Sequence, residues 1–196
     1  MSLRTYLLVL LLIQKFIAVG DGLEVDSLIN QIEVTNQTID KCDLFNRIAS
    51  TYLESDPNEA LFYANKAFQL SLRNNYEDGL AESYMLQGKA NEDLSKFELA
   101  LNNLLSALII QKSIGNDTKI AEINYLLGRI CKTTGNYEKA AEYCFNALKI
   151  NEEHQDYLST ASIYNTLGSI YKYIGDYDKS LEYYYKCREI QKDYRE

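Results

Sequence analysis

The sequence predicts an all-α protein, a right-handed α-solenoid of stacked antiparallel helix pairs. The 196 residues contain one proline and nine glycines against 17 tyrosines, and no stretch alternates apolar and polar residues as a half-buried strand does. Short sequence motifs of small and aromatic residues recur every 40 positions. A fixed period of this length is typical of repeat proteins, in which each helix pair buries its apolar face against the next pair.

These recurring motifs are clearest between residues 124 and 149. They comprise the pair Leu127-Gly128, a Gly-Asn-Tyr turn at 135–137, and Ala140 and Ala147. Small residues at these points let paired helices approach closely, and large residues fill the space between them. The corresponding marks elsewhere are Leu167, Gly168, Gly175, Asp176, Tyr177, Ser180 and Cys187 in the following interval, Gln87, Gly88, Phe97, Ala100 and Ala107 in the preceding one, and Pro57, Ala60 and Ala67 before that.

The first twenty residues have the layout of a secretory signal peptide. Arg4 supplies the positive start, residues 6–13 form an apolar run, and Ala18 and Gly20 place small residues before a cleavage point at Asp21. The apolar run is far shorter than the roughly 20 residues that span a bilayer. We therefore predict an exported, periplasmic protein. The alternative is an uncleaved signal sequence that anchors the chain to the membrane.

Helices are predicted along the rest of the chain from apolar residues spaced three and four apart. Residues 21–39 are assigned to an N-terminal capping helix and 40–196 to four repeats, at 40–79, 80–119, 120–159 and 160–196. Asn74, Asn75 and Gly79 are expected to break the chain, and Gly115 to end a helix. The predicted helices are Leu23–Thr38, Asp43–Leu53, Pro57–Arg73, Leu80–Asp93, Glu98–Ser113, and two further pairs within 120–153 and 160–193.

This pattern resembles the tetratricopeptide repeat over residues 40–193. The resemblance implies a superhelix of paired helices without catalytic activity. The period is 40 residues, whereas 34 is usual, and the proline that normally closes the second helix is absent, as in the MalT-like branch of the family. The residues that carry the resemblance most fully are Leu167, Gly168, Tyr171, Gly175, Asp176, Tyr177, Tyr184 and Cys187, with Leu127, Gly128, Gly135, Asn136, Tyr137, Ala140 and Ala147 in the interval before.

The resemblance also suggests two functions. The first is a non-catalytic, exported scaffold that binds a protein or peptide in its concave groove. The second follows from the order of signal peptide, leading helix and 40-residue repeats, which resembles the exported sensor region of certain bacterial histidine kinases and transcription regulators. Under this alternative the chain is the sensory input region, or a truncated form, of a signal-transduction protein. No second apolar span or kinase motif is present to support the signalling half.

The groove would be lined by the polar stripe on the first helix of each repeat. This stripe supplies cations in an otherwise acidic protein, which suits a partner with an acidic or carboxylate end. The alternative is a solvated helix face on which Glu82, Glu92 and Glu122 balance the lysines. The predicted partner-binding residues are Met85, Lys89, Tyr125, Arg129, Lys132, Asn165 and Lys172.

Composition and motif spacing argue against several other functions. The net charge of −8 and the pI near 4.8 disfavour nucleic acid as a partner. His154 is the only histidine, and no nucleophile is arranged around it in a known pattern. Cys42, Cys131, Cys144 and Cys187 form no C-x-x-C pair, so no metal site, cofactor or catalytic residue is predicted. A disulfide between Cys131 and Cys144 is left open.

The last predicted helix is rich in tyrosine, at residues 183–185, and carries Ile190. Repeat arrays need a polar cap at their ends, and no capping helix is predicted after this one. Three explanations stay open: self-association through this edge, docking of another protein, or a shortened form of a longer sensor.

Overall fold

The computed structural model describes residues 24–193, and the predicted signal peptide at residues 1–20 lies outside them. Within this range every regular element is an α-helix, and none of these helices combines the length and apolar character needed to span a bilayer. The helices are α1 (24–34), α2 (Thr38–Tyr52), α3 (Pro57–Arg73), α4 (Glu77–Asp93), α5 (Phe97–Ile114), α6 (Asp117–Thr133), α7 (Tyr137–Glu153), α8 (Tyr157–Ile174) and α9 (Tyr177–Asp193).

From α3 onward a helix begins every 20 residues, at 57, 77, 97, 117, 137, 157 and 177. Helices of 17 or 18 residues alternate with turns of two or three residues. Two such units give the 40-residue period. The six residues added to the usual 34 amount to three per unit, or nearly one extra turn of each helix.

The turns share one backbone geometry. Each contains a residue with positive φ, and the residue after it precedes the next helix. Where the residue directly before the helix is Asn or Asp, its side chain caps the helix. Asn116, for example, accepts a hydrogen bond from the backbone N–H of Lys119 at 3.2 Å. The positive-φ residues are Asn75, Ser95, Gly115, Gly135, Gln155 and Gly175.

Pro57 opens α3 as predicted, and Gly115 ends α5 in the left-handed conformation. Three predicted boundaries were wrong. The first helix ends at residue 34 and α2 begins at Thr38, so the break lies before Thr38 and the second helix starts five residues earlier than Asp43. Gly79 lies inside α4 and breaks nothing. A Cβ at Gly79 would clash with the Tyr76 ring, so glycine is required there for close packing.

The chain divides into two compact units, one ending at Leu94 and the other beginning at Ser95. In the first unit, α1 packs Val25 and Leu28 against Leu44 and Ile48 of α2. A buried polar link joins α2 to α4, since the Asn46 side chain donates to the Gly79 carbonyl at 3.1 Å and accepts from the Ser83 hydroxyl at 3.1 Å.

The second unit comprises α5 to α9. Its core is formed by buried side chains of α6, α7 and α8, including Cys144, Ile163 and Leu167. A Cβ at Gly128 would lie 2.7 Å from Cys144 Sγ, and one at Gly168 would lie 2.8 Å from the Tyr184 ring. The predicted role of these two glycines in close helix packing is confirmed.

Candidate partner-binding surfaces

The two predicted faces of α6 differ in burial. Ile123, Leu127 and Ile130 are buried in the core, whereas Tyr125, Arg129 and Lys132 are half-buried. The Arg129 guanidinium carbon lies 6.0 Å from the centroid of the Tyr125 ring, which places the cation over an aromatic face. The polar stripe of α6 therefore lies at the surface with its central cation held in place.

The same division holds on α8, which contacts α6 within the second unit. Ile163, Leu167 and Ile170 are buried, and Asn165 and Lys172 are exposed. Five of the seven predicted binding residues thus lie on two neighbouring helices of one unit.

The other two predicted residues belong to α4 in the first unit. Lys89 is half-buried, but Met85 is only 2% exposed and presents almost no surface to a partner. Spacing placed Met85 on the outer stripe because it lies three residues from Glu82 and four from Lys89. It is buried because α4 is covered around most of its circumference, with Ala81, Ser83, Met85, Leu86, Gln87, Gly88, Ala90 and Asn91 all buried.

The charges on the α6 stripe take part in local pairs. Glu122 lies 3.4 Å from the Lys119 ammonium, three residues earlier on the same helix. Such pairs at i,i+3 contribute only about 0.2–0.5 kcal/mol to helix stability.

The sequence did not predict a second surface, a cleft of about 390 Å³ between the C-terminal part of α7, the first half of α8 and the second half of α9. A comparison of equivalent positions could have revealed it, because Glu152 and Glu189 stand where the preceding interval has Lys112 and Lys149. The lining residues are Glu152, Tyr157, Thr160, Tyr164, Lys186, Glu189 and Ile190.

Stacked tyrosines border this cleft. The Tyr183 ring of α9 lies between two rings of α8, with centroids 5.9 Å from Tyr164 and 5.4 Å from Tyr171. The Lys186 ammonium lies 5.2 Å from the Tyr183 centroid and 2.6 Å from a Glu182 oxygen. These contacts fix the wall formed by α8 and α9.

The Tyr164 hydroxyl donates to Glu152 Oε1 at 2.9 Å and so links α8 to the end of α7. Burial, together with this hydrogen bond and the charge of Glu152, raises the pKa of Tyr164 to about 12. The phenol therefore stays protonated and keeps donating at neutral pH.

A third surface is the outer face of α9, where Tyr177, Leu181 and Tyr185 are 67%, 53% and 59% exposed. The equivalent position to Tyr177 on α7 is Tyr137, whose ring stacks on Tyr173 of α8 at 5.4 Å. The exposed face of α9 is thus equivalent to the face of α7 that packs against α8, and its apolar side chains are larger.

Comparison with known proteins identifies the repeat. Residues 119–193 match the family model of the tetratricopeptide repeat. The tetratricopeptide repeat is therefore identified within residues 119–193. The predicted tetratricopeptide repeat is confirmed, and such repeats indicate a protein–protein interaction scaffold. The MalT-like assignment and the resemblance to sensor regions stay predictions. No curated protein matches the sequence.

Solved structures share the same fold. BtubC (BKLC) from P. vanneervenii is 17% identical with a TM-score of 0.76 over 93% of this chain and 87% of that one. A Rap protein complexed with competence and sporulation factor is 22% identical with a TM-score of 0.81 over 93% and 52%. Aspartyl phosphate phosphatase F from Bacillus subtilis is 20% identical with a TM-score of 0.78 over 95% and 52%. This chain therefore spans about half the length of the last two.

These similarities confirm the predicted fold class, an all-α solenoid of helix pairs. Because the sequence identities are this low, the structural similarities establish only the shared fold. They do not transfer the activity of any of these proteins to this chain. In the part of the chain that the structure describes, the tetratricopeptide repeats hold no group of three or more His, Cys, Asp and Glu side chains placed to bind a metal ion.

His154 and the cysteines occupy structural positions. His154 follows the last residue of α7, is exposed, and lies 3.7 Å from an Asp117 oxygen. All four cysteines are buried free thiols, which leaves Cys131 and Cys144 unbridged in this structure. Burial raises the pKa of Cys144 to about 12 and also raises that of Cys131.

Proposed function

We propose that this chain is a non-catalytic, exported tetratricopeptide-repeat scaffold that binds a protein or peptide along the polar stripe of α6 and α8. One observation carries the proposal. Each of these helices buries one face in the core and keeps polar side chains at the surface on another, with Arg129 held over Tyr125. Lys89 occupies the equivalent position on α4 in the first unit.

The chemistry of the stripe favours a partner with an acidic or carboxylate end. Arg129, Lys132 and Lys172 offer cationic donors, and Tyr125 and Asn165 offer an aromatic face and an amide beside them. A hydrogen bond to a charged group contributes about 1.5–3 kcal/mol. Nucleic acid is disfavoured because the chain as a whole carries a charge of −8.

The test uses a labelled glutamate-rich decapeptide with a free carboxyl terminus, and the same peptide amidated and with glutamine for glutamate. Binding of the acidic peptide should fall by about tenfold in Lys132→Glu and in Lys172→Glu, because each change replaces an attractive charge with a repulsive one. Lys149→Glu is the matched control, since Lys149 is exposed on α7 away from the stripe. Carboxylate recognition would be refuted if the two peptides bound equally well. It would also be refuted if the affinity for the acidic peptide were unchanged in Lys132→Glu and Lys172→Glu.

Export is part of the proposal and rests on residues 1–20. If the signal peptide is cleaved as its layout predicts, the exported protein begins at Asp21. Mass spectrometry of the protein recovered from the periplasm checks this. A chain that starts at Met1 in the membrane fraction would instead support the uncleaved anchor.

The alternative, a sensory input region of a histidine kinase or regulator, rests on the sequence resemblance alone. A reading frame that continues past residue 196 into a membrane span and a signalling domain would favour it. An antibody that detects a separate protein no larger than the 22.5 kDa of the 196-residue chain, in cells of the source, would favour the scaffold.

Self-association through α9 is a second candidate, supported by the exposure of Tyr177, Leu181 and Tyr185 on one face. Sedimentation velocity over a concentration series should show a dimer that Leu181→Glu returns to monomer. Ile109→Glu, at an exposed apolar residue of α5, should leave the dimer intact. A monomer at every concentration would remove this candidate.

A further inference from the structure

We propose that the cleft between α7, α8 and α9 binds the basic side chain, arginine or lysine, of a polypeptide partner. The inference rests on the proposed scaffold function and adds a contact of opposite charge. On α8 the cleft uses Tyr157, Thr160 and Tyr164, whereas the polar stripe uses Asn165 and Lys172. These positions project from different faces of one helix, so the cleft and the stripe are separate sites.

The charges of the cleft favour a cation. Glu152 and Glu189 line it, and Glu182 lies beside it, bound to Lys186 at 2.6 Å. The cleft therefore has two lining carboxylates, and the ammonium group that lines it is already paired with a third. A concave site with an excess of one charge concentrates ligands of the other sign.

The walls suit a long side chain that ends in a charge. Tyr157, Tyr164 and Ile190 provide aromatic and aliphatic surface, against which the methylene stem of arginine or lysine can lie while its head reaches the carboxylates. The cleft volume of about 390 Å³ falls in the range of pockets that hold small ligands. It therefore accommodates an arginine side chain with part of a neighbouring residue.

Helix packing does not require this acidic, aromatic composition. Forty residues earlier, the positions of Glu152 and Glu189 are taken by Lys112 and Lys149, and that of Tyr164 by Asn124. The same helix arrangement thus forms with the opposite charge. The acidic cleft is a local feature of the last interval and not a consequence of the repeat.

The experiment titrates the full chain with N-acetyl-arginine methylamide and with the citrulline analogue, which has the same shape without the charge. Isothermal calorimetry at low salt should show binding of the arginine probe alone. Glu152→Gln and Glu189→Gln should each weaken it about fivefold to tenfold, as expected for loss of one charge-assisted contact. Equal binding of both probes, or no binding of either, would overturn the proposal.

Two controls separate this cleft from other sites. Glu138→Gln removes an exposed carboxylate from the first turn of α7, and should leave the arginine affinity unchanged. Lys172→Glu impairs the proposed stripe and should also leave it unchanged, so failure of one site is distinguishable from failure of the other. If Glu138→Gln weakens binding as much as Glu189→Gln does, the probe senses only the overall negative charge and the cleft is not its site.

Discussion

One backbone position recurs in every turn from α3 onward and shows how single residues set the period. It has positive φ whether it is occupied by glycine, as at Gly115, Gly135 and Gly175, or by Ser95 or Gln155. Glycine adopts this conformation without steric cost, whereas a residue with a Cβ loses about 1–2 kcal/mol. The turn geometry is therefore imposed by the helices on either side, even where the local residue disfavours it.

Glycine at the positive-φ position of a turn is expected to stabilise the protein. Ser95→Gly and Gln155→Gly should each raise the free energy of unfolding by about 0.5–1 kcal/mol, because they remove left-handed strain, and Gly135→Ala should lower it by about 1 kcal/mol. Urea denaturation measures all three. Gln69→Gly, at an exposed position inside α3, is the control and should destabilise by about 1 kcal/mol. Destabilisation by Gln155→Gly as well would contradict the argument.

Gly128 has a packing role that its φ does not reveal. Gly128→Ala should lower the free energy of unfolding by about 1–3 kcal/mol, because the new Cβ would lie 2.7 Å from Cys144 Sγ. Removing the sulfur in the double variant Gly128→Ala/Cys144→Ala should recover part of this loss. The recovery is incomplete because the Ala140 carbonyl oxygen lies 3.2 Å from the same Cβ. Additive effects of the two changes in thermal unfolding would show that they do not share this contact.

Tyr164 makes stability depend on pH at the alkaline end. Its pKa is raised to about 12 by burial, by its hydrogen bond to Glu152 and by the charge of that residue, whereas an unfolded tyrosine titrates near 10. The stabilisation is thus complete below pH 10 and is lost as the pH rises toward 12. Tyr164→Phe should remove one high-pH tyrosinate step at 295 nm and flatten the loss of stability in this window. Tyr185→Phe should leave that step in place.

At the scale of the element, helix α1 is held by its apolar side chains. Leu28→Ala should cost about 2–5 kcal/mol, or up to the full free energy of docking α1, because Leu28 is buried among Val25, Leu44 and Ile48. Hydrogen exchange of α1 amides should accelerate in this variant. Val34→Ala on the same helix is the control, since Val34 is 78% exposed. Equal effects of the two changes would mean that α1 does not dock through this face.

At the scale of the whole molecule, the four cysteines report on the integrity of both units. Cys42 lies in the first unit and the other three in the second, and all are buried free thiols with raised pKa values. Because thiolates are the reactive species, a disulfide reagent at pH 8 should modify them slowly in the native protein and all four rapidly in urea. The melting temperature should be the same with and without reductant. A count of two reactive thiols in urea without reductant, where four are expected, would instead indicate a disulfide.

Most of the helical framework could be predicted from sequence because its causes are local. Pro57, Gly115 and the 40-residue recurrence each act through backbone geometry or through contacts within one repeat. Gly79 and Met85 could not be placed correctly in the same way. Their roles depend on Tyr76 and on how completely α4 is covered, and neither is a property of the spacing along one helix.

The sequence by itself determined the all-α repeat class, the 40-residue recurrence and the polar stripes of α6 and α8. Hydrophobic periodicity and turn residues are properties of each helix and of the turns beside it. Only the tertiary structure decided that Met85 is buried and that Glu152, Tyr164 and Glu189 converge on one cleft. The burial of Met85 depends on how α4 is covered, and the cleft depends on side chains from three helices. Such distances are fixed by the packing of helices against each other and not by their separation along the chain.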